Sequence, residues 1–263
     1  DFVPGNLVEI EMGYGNSSEL VFAGILLSQR MIVKKSKSYL EITCKDKAVQ
    51  LTKGRFTNIY TNATDSDTFG KIAGKFGLKN DIDRTNVTFG QMVQHHCSYW
   101  DFILMRAEMN NQIVITENNQ LKIKEIDLSS SPVISIQADT VVLEADLDID
   151  AEDIVKEFNV VSWDESSQQI ASATSNVSDS LNLGNITTQK LSDVLSGISS
   201  NRLSSASLTK EELQNIGKSA ANRVVLNKIK GRIKLPGTSK VLPGNIVELK
   251  GFTQSFHGNA FVS

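Results

Sequence analysis

The fold is decided by a motif that occurs twice, as VPGNLVEIEMGY at residues 3–14 and as LPGNIVELKGFTQ at residues 242–254. The identical positions are Pro4, Gly5, Asn6, Val8 and Glu9 in the first copy and Pro243, Gly244, Asn245, Val247 and Glu248 in the second. Proline fixes φ before a strand, glycine supplies a conformation that other residues avoid, and the alternation that follows turns one side of the strand inward. Each copy therefore predicts a tight turn that leads into a half-buried strand.

A second landmark follows the motif in each half of the chain. It is Phe22-x-Gly24 in FAGILLS and Phe256-x-Gly258 in FHGNAFVS. Because both landmarks occur in the same order, we interpret the chain as two similar antiparallel β-barrels related by an approximate rotation. Three such chains around an axis would present six barrels to a partner with six-fold symmetry. The alternative is a chance recurrence of common turn chemistry.

Composition and charge argue against several classes of protein. The 263 residues are enough for two ordinary domains, and 40% hydrophobic with 22% charged residues is typical of a soluble globular protein. No apolar stretch reaches the roughly 20 residues that a membrane helix requires. The net charge is −3, and the basic residues are interspersed with acidic ones. We expect no membrane span and no nucleic-acid partner, since the latter demands a clustered basic face.

The cysteines and the two ends of the chain give further expectations. Cys44 and Cys97 are too few for a disulfide framework or a thiolate metal site, so we expect free thiols from a reducing compartment. The first residues lack the basic start and apolar middle of a signal peptide. The chain starts beside a turn and stops within GNAFVS, a strand-like segment. We expect both ends to be internal to a longer protein.

The period of the hydrophobic pattern changes along the chain. Residues 1–58 alternate with period 2 between short polar breaks, as an antiparallel meander or barrel does. Residues 59–126 change to period 3.6 and then return to strands. Their local signals are a helix that stops at Gly77, a helix capped by Ser98 and a hairpin turn at Asn118-Asn119. We interpret this region as a small α/β domain inserted into a β domain.

The rest of the chain completes the prediction of domains. Strand patterns resume after residue 126, a Ser-rich and Asn-rich stretch follows, and Thr209 with Glu212 forms a capping box for a further helix. The predicted domains are a discontinuous first β-barrel at 1–58 and 127–162, the α/β insertion at 59–126, a polar loop at 163–208, and a second β-barrel with a helix at 209–263, to which strands within 155–162 can also belong. The fold class is mainly β with an α+β insertion, in which two similar antiparallel β-barrel domains accompany a small domain of two helices and a hairpin.

Two patterns imitate metal sites. His95, His96 and Cys97 offer imidazole and thiolate groups, but adjacent ligands rarely face one ion and no second motif completes the set. The segment Asp146–Glu157 has carboxylates at positions 1, 3, 5 and 12 of a calcium-loop template, but Ala151 stands where that loop needs glycine. We predict no metal and no cofactor, with a turn at the histidine pair and a solvated strand at the aspartates.

Catalytic patterns are equally weak. No histidine belongs to a nucleophile motif such as Gly-x-Ser-x-Gly, and no glycine loop for phosphate occurs. A hydrolase with paired carboxylates stays open, because the separation of two carboxylates is a spatial quantity. Trp100 and Trp163 are interpreted as core aromatic residues whose indole N–H is bonded, not as platforms for a ligand. We predict no enzymatic activity.

Several segments resemble one family when they are taken in order. It is the hub part of VgrG-type spike proteins of type VI secretion systems, together with the related tail hub and late-control proteins of contractile-tailed phages. The segments that carry the resemblance are FVPGNLVEIEMGYG, LVFAGILLSQ, ITCKDKAVQL, SYWDFILMRAEMNNQIVITENNQLKI, FNVVSWD, LPGNIVELKGF and FHGNAFVS. They extend over nearly the whole chain, although each is short and none is catalytic.

The resemblance implies a structural role. Proteins of this family form a homotrimeric hub of paired, tube-like barrels, which caps or nucleates a six-fold tail tube and carries a spike. The implied partners are the tail tube protein, a downstream spike domain and effectors. The implied location is the cytoplasm during assembly, followed by delivery outside the cell or into a target cell, or incorporation into a virion-like particle. In the family, further strands precede the first Pro-Gly, and a small barrel and a needle follow the last strand.

Two alternatives of other classes accompany this interpretation. One is a peptidoglycan hydrolase attached to a phage tail, which hydrolysis of purified peptidoglycan would reveal. The other is a carbohydrate-binding module of a tail tip, which would bind glycans as a monomer.

Overall fold

The computed structural model of the protein describes residues 2–165, 167–179, 181–204 and 206–263. The chain divides into two compact units. The first unit consists of residues 1–107 and 114–124, and the second consists of residues 108–113 and 125–263.

Strands outnumber helices throughout the described residues. The strands are β1 (Leu7–Met12), β2 (Glu19–Lys34), β3 (Lys37–Lys45), β4 (Phe56–Thr64), β5 (Lys79–Ile82), β6 (Thr88–Cys97), β7 (Gln112–Glu117), β8 (Gln120–Glu125), β9 (Ser135–Gln137), β10 (Glu144–Ile149), β11 (Glu157–Asp164), β12 (Gln169–Asn176), β13 (Ser199–Ser204), β14 (Ile229–Lys234), β15 (Ile246–Lys250) and β16 (Gly258–Phe261). The helices are α1 (Asp65–Lys75), α2 (Tyr99–Met109), α3 (Thr188–Val194) and α4 (Lys210–Asn227), with a 3₁₀ helix at Lys47–Thr52.

The first unit begins with an antiparallel sheet and continues with an α/β layer. The sheet has the order β1-β2-β3. The α/β layer contains the antiparallel pair β4 and β6, the sheet β5-β8-β7, and helices α1 and α2. Its core is continuous, and its largest fully buried side chains are Phe69, Phe102, Ile103, Leu121 and Ile123. The prediction of two helices and a hairpin in this region is confirmed.

Local capping signals determine where these helices begin. Thr64 and Asp67 form a reciprocal capping box at the start of α1. Ser98 accepts a hydrogen bond from the backbone N–H of Asp101 at 3.0 Å, which caps α2 as predicted. Gly77 follows α1 with φ of +60°, a left-handed conformation that glycine adopts without a steric penalty.

The hairpin between β7 and β8 has the predicted turn. Asn118 and Asn119 have φ of +49° and +64°. Asparagine tolerates this region better than most residues, because its short side chain bonds locally. Here the turn is also fixed from outside, since Asn119 exchanges hydrogen bonds with Lys47 and Asp46 at 2.9 and 2.8 Å.

The second unit is built from pairings between segments that are distant in sequence. β15 lies between β16, which is antiparallel, and β9, which is parallel. β10 pairs with β14, and β11 lies between β12 and β13. Helix α4 begins at the predicted capping box of Thr209 and Glu212 and buries Leu213 against the sheet of β11 and β12.

Two groupings made from the sequence differ from these pairings. The sequence predicts that residues 127–162 belong to the first β-barrel, whereas β9 and β10 pair with β15 and β14 of the second unit. The stretch 163–208, interpreted as a polar loop, contains β12, α3 and β13. The strands β12 and β13 flank β11, and many of their side chains face solvent. Because those side chains are polar, the sequence lacks the apolar alternation by which a strand is predicted.

The fold class predicted from the sequence is confirmed as mainly β with an α/β part, with 44% of residues in strands and 20% in helices. The ladders join into sheets of two or three strands. Closure of these sheets into two similar barrels stays a prediction, as does the division into domains.

Candidate assembly surface

The repeated motif forms the same turn in both units. Gly5 and Gly244 have φ of +100° and +88°, which a residue with a side chain rarely adopts. The N–H of Gly5 donates to Leu26 O at 2.8 Å, and the N–H of Gly244 donates to Val262 O at 2.8 Å. In both turns the glycine N–H therefore bonds to a carbonyl oxygen just beyond the last ladder pair of the following hairpin.

The asparagine after each glycine completes the equivalence. Asn6 N donates to Val3 O at 3.1 Å and Asn6 O accepts from Leu26 N at 2.9 Å. Asn245 N donates to Leu242 O at 3.1 Å and Asn245 O accepts from Val262 N at 2.9 Å. The backbone geometry, and not only the residue types, is repeated at Pro4-Gly5-Asn6 and Pro243-Gly244-Asn245.

The Phe-x-Gly motifs, which form the second landmark, do not occupy the same position in the two β-ladders. Gly24 faces Val8, whereas Gly258 faces Leu249. When the turns are matched, Gly24 corresponds to Ala260 and Gly258 corresponds to Phe22. The sequence alignment of the two Phe-x-Gly motifs is therefore displaced, because the hydrogen bonds of the turn set the register and the two hairpins differ in length.

The two copies differ sharply in burial. In β15, Ile246 and Leu249 are 1% and 2% exposed, within a core to which β9 and β16 contribute. In β1, Leu7 is 74% exposed and Met12 is 64% exposed. Strand β1 lies at the edge of its sheet. The same motif is thus a core strand in the second unit and an uncovered apolar strand in the first.

A hairpin arm extends this uncovered surface. Strand β2 pairs with β1 only up to Ile25 and continues against β3 as far as Lys34. We call Ser28–Lys34 together with Lys37–Thr43 the ribbon. One face of the ribbon carries exposed apolar side chains, since Met31 is 76% and Val33 is 70% exposed. Contiguous apolar surface of this kind on a folded protein marks an interaction site.

The second unit has an apolar surface of its own. Trp163 pairs with Ile170 across β11 and β12, and Leu203 faces Val161 from β13. Trp163 is 51% exposed, so its interpretation as a core aromatic residue is wrong. The reason is strand alternation, because Phe158 and Val160 occupy the face of β11 that is buried. Trp100, in contrast, packs partly buried against the core of the first unit.

The two sequence patterns that imitate metal sites lie on β6 and β10 and in the turns next to them. His95 and His96 are exposed near the end of β6, where His96 has φ of +47° and accepts a hydrogen bond from Arg55 at its carbonyl oxygen. Asp146 and Asp148 lie on β10, the strand that the sequence predicted, and Asp150 caps the turn after it by accepting from Glu152 N. Among the described residues, no group of three or more His, Cys, Asp or Glu side chains is arranged to hold a metal ion.

A polar cavity of about 410 Å³ opens in the second unit. Its lining residues are Asn182, Gly184, Asn185, Glu248, Phe252, Gln254, His257, Gly258 and Asn259. The pKa of Glu248 lies below its ordinary value, because Lys250 donates a hydrogen bond to its carboxylate at 2.8 Å. Of the described residues that line the cavity, Glu248 supplies the single carboxylate, whereas glycoside hydrolysis uses a pair.

The helices are too short or too polar for membrane insertion: in the described part of the chain, none could cross a bilayer.

Comparison with solved structures gives the class of protein that this fold defines. The prophage MuSo2 43 kDa tail protein from Shewanella oneidensis matches 98% of this chain and 77% of its own, at 12% identity and a TM-score of 0.71. A tail protein from Neisseria meningitidis MC58 matches 88% of this chain and 70% of its own, at 16% identity and a TM-score of 0.65. The predicted resemblance is confirmed for the fold, which this chain shares with phage tail proteins.

A secretion-system protein shares the fold. This E. coli protein is a component of the type VI secretion system with structural similarity to the T4 bacteriophage tail proteins gp27 and gp5. It matches 93% of this chain and 54% of its own, at 10% identity and a TM-score of 0.52. No curated protein sequence matches the chain. The model of the Alg8 N-terminal domain family matches residues 1–263, and the protein belongs to that family.

Proposed function

We propose that this protein is the structural hub of a contractile injection apparatus or phage tail. Three copies form a ring with pseudo-six-fold symmetry, which docks on the six-fold tail tube and carries the puncturing spike. The observation that carries the proposal is the turn that recurs at Pro4-Gly5-Asn6 and Pro243-Gly244-Asn245 within a tail-hub fold. A chain that forms the same turn before two hairpins contributes two similar elements to a ring, so three chains contribute six.

The exposed apolar side chains support an obligate assembly. Leu7, Met12 and Met31 are each more than half exposed, and burial of apolar area stabilises a complex by about 25 cal/mol per Å². Obligate interfaces bury on the order of 2,000 Å² or more and are hydrophobic at their centres. Covering β1 and the ribbon in an oligomer removes an apolar surface that a monomer would leave in water.

The role is mechanical and needs no catalytic group or cofactor. The hub transmits force from the tube to the spike, with a downstream spike domain and effectors as its further partners. It assembles in the cytoplasm and is then delivered outside the cell or into a target cell, or remains part of a virion-like particle. Each unit supplies one tube-like β-barrel to the ring, and the α/β layer of the first unit is the small inserted domain.

The test is the number of copies in solution. Light scattering on the purified chain across micromolar concentrations should give three times its 28.8 kDa mass. Electron microscopy of the chain with its tube protein should show a threefold hub on a six-fold ring. A monomer or a dimer at every concentration would overturn the proposal.

Carbohydrate binding is the second candidate, and the cavity of the second unit favours it. Amides from Asn185 and Gln254 lie beside Phe252, a combination of hydrogen-bonding groups and an apolar ring that suits a sugar. Calorimetry with soluble peptidoglycan fragments should then show binding that Asn185→Ala with Gln254→Ala abolishes. Binding by a monomeric chain would favour this role over the hub.

A further inference from the structure

We propose that the ribbon of one copy packs on strand β1 of the next copy, so that the copies of the hub associate head to tail through this one contact. The inference rests on the proposed function and identifies the two surfaces through which neighbouring copies of the hub contact each other. The sheet formed by β1, β2 and β3 supports it by its strand pairing, its apolar face and its charges.

The ribbon lacks internal support. From Ser28 to Lys34, β2 pairs with β3 alone, and among the described residues no third strand adds to either side. An isolated two-stranded hairpin is at best marginally stable in water. A surface that covers one face of the ribbon would stabilise it.

The apolar face of the ribbon suits such a cover. Met31 faces Leu40 directly across the ladder, and Val33 lies on the same face two residues further along β2. The opposite face carries the pairs Arg30–Glu41, Ile32–Tyr39 and Lys34–Lys37, so it is mixed in character and holds most of the charged residues of the ribbon. The face of Met31 is therefore the apolar one, and the two lysines reach a partner from the end of the ribbon, where they form its last pair.

The charges identify the partner. Residues 2–29 contain Glu9, Glu11 and Glu19 and no Lys, Arg or Asp. Residues 30–45 contain Arg30, Lys34, Lys35, Lys37 and Lys45 against Glu41. One sheet thus has an acidic edge at β1 and a basic tip on the ribbon. Opposite charges across an interface steer association and fix its register.

The basic tip is unfavourable in a single copy. Lys34 and Lys37 face each other across the ladder, and like charges in that position destabilise a hairpin. In the described structure Lys34, Lys35 and Lys37 form no salt bridge with a carboxylate. The exposed carboxylates of Glu9 and Glu11 on another copy would supply the missing counter-charge.

The charges favour contact between unlike surfaces, because contact between two basic tips is repulsive. They do not by themselves select the symmetry, since a two-fold dimer also pairs each tip with an edge reciprocally; the ring follows from the three copies of the proposed hub. A head-to-tail contact brings each basic tip to an acidic edge, because every copy carries both surfaces, and such contacts close into rings. Leu7 lies on the same face of β1 as Glu9 and Glu11, so its exposed side chain provides apolar area for Met31 and Leu40 beside the acidic groups.

Charge reversal tests the contact on the full chain. Lys34→Glu with Lys37→Glu, and separately Glu9→Lys with Glu11→Lys, should each weaken assembly by about tenfold or more in sedimentation experiments at low salt. The fourfold variant that combines both reversals should recover assembly. The matched control is Lys53→Glu with Lys240→Glu, two exposed lysines outside the sheet, which should assemble normally.

Each outcome is decisive. Weakening by both reversals together with recovery in the combined variant supports the contact. Normal assembly of the Lys34→Glu, Lys37→Glu variant, or no recovery in the fourfold variant, overturns it and leaves the trimeric hub standing. If that lysine variant assembles normally but loses binding to the tube protein, the ribbon is a tube contact instead. An unaltered chain that is monomeric throughout overturns the hub and the contact together. Circular dichroism verifies folding, which these exposed positions should not affect.

Discussion

Lys228 Nζ donates to the carboxylate of Asp179 at 2.8 Å, although the lysine side chain is only 3% exposed. The same carboxylate accepts from the backbone N–H of Thr188 at 3.0 Å, at the start of α3. The pair joins the end of α4 to the segment before α3 within the second unit. The burial of this pair is unequal, since the Asp179 side chain is 32% exposed.

Removal of Asp179 and removal of Lys228 should therefore lower the free energy of unfolding by different amounts. Asp179→Ala leaves a buried ammonium without a counter-charge, which should lower the free energy of unfolding by about 3 kcal/mol. Lys228→Met leaves a carboxylate that water and Thr188 still solvate, so its cost should be smaller. Urea denaturation measures both. Equal losses would show that the lysine is not the desolvated member of the pair.

The same pair predicts a dependence on acid. Burial by itself would raise the pKa of Asp179, but hydrogen bonds from Lys228 and Thr188 outweigh it and hold the pKa below the ordinary 3.8. The stabilisation is thus present above pH 3.8 and is lost as the pH falls through the lower folded pKa. Asp179→Asn should be less stable than the unaltered chain near neutral pH, with the difference shrinking as the pH falls below 3.8. A constant difference would contradict the linkage.

Arg106 and Asp65 form the buried ion pair of the first unit. The two N–H···O distances are 2.6 and 2.9 Å, and Asp65 is 1% exposed. Arg106→Lys keeps the charge but loses the planar pair of donors, so it should destabilise the unit, and Arg106→Ala should cost about 3–5 kcal/mol. The matched control is Lys218→Ala, whose partner Glu125 is 57% exposed, with an expected change below about 1 kcal/mol.

Tyr60 should titrate above the ordinary pKa of a tyrosine hydroxyl. Burial raises its pKa to about 12, with the nearby Tyr99 and Cys97 adding to the effect, and its hydroxyl donates to Gln94 at 3.0 Å. Because the folded pKa is above the unfolded value of 10.0, its contribution to stability is complete below pH 10.0 and is lost as the pH rises through about 12. Ultraviolet difference spectra of the chain and of Tyr60→Phe, recorded as the pH rises, measure this ionisation of the tyrosine hydroxyl. Its persistence in the variant would assign it to another tyrosine.

Gly5 and Gly258 should respond differently to alanine. Gly5 has φ of +100° with open space where a Cβ would lie, so Gly5→Ala should cost about 1–2 kcal/mol of backbone strain. Gly258 has φ of +124°, and a Cβ there would overlap the carbonyl oxygen of Asn182. Gly258→Ala should therefore cost more than about 3 kcal/mol, because strain and overlap combine. Thermal denaturation compares the two, and a smaller loss for Gly258→Ala would contradict this account.

Much of the local structure follows from the sequence by itself. The capping boxes at Thr64 and Thr209, the stop at Gly77 and the turn at Asn118-Asn119 each depend on residues within a few positions of one another. Proline and glycine likewise determine the repeated turn, since its positive φ values and the bonds from Asn6 N to Val3 O and from Asn245 N to Leu242 O lie within the motif. Such signals are readable because they need no knowledge of distant partners.

The tertiary structure alone decided what the repeated motif does. Val8 and Val247 occupy the same place in the motif, yet β1 lies at a sheet edge with exposed apolar side chains while β15 is enclosed by β9 and β16. The parallel pairing of β9 with β15 spans about a hundred residues, and no local pattern encodes a partner so far away. Exposure of Trp163 has the same origin, because the face of a strand that is buried depends on what packs against it. The sequence pattern determines which side chains of a strand share a face, and the elements that pack against the strand determine which face is buried.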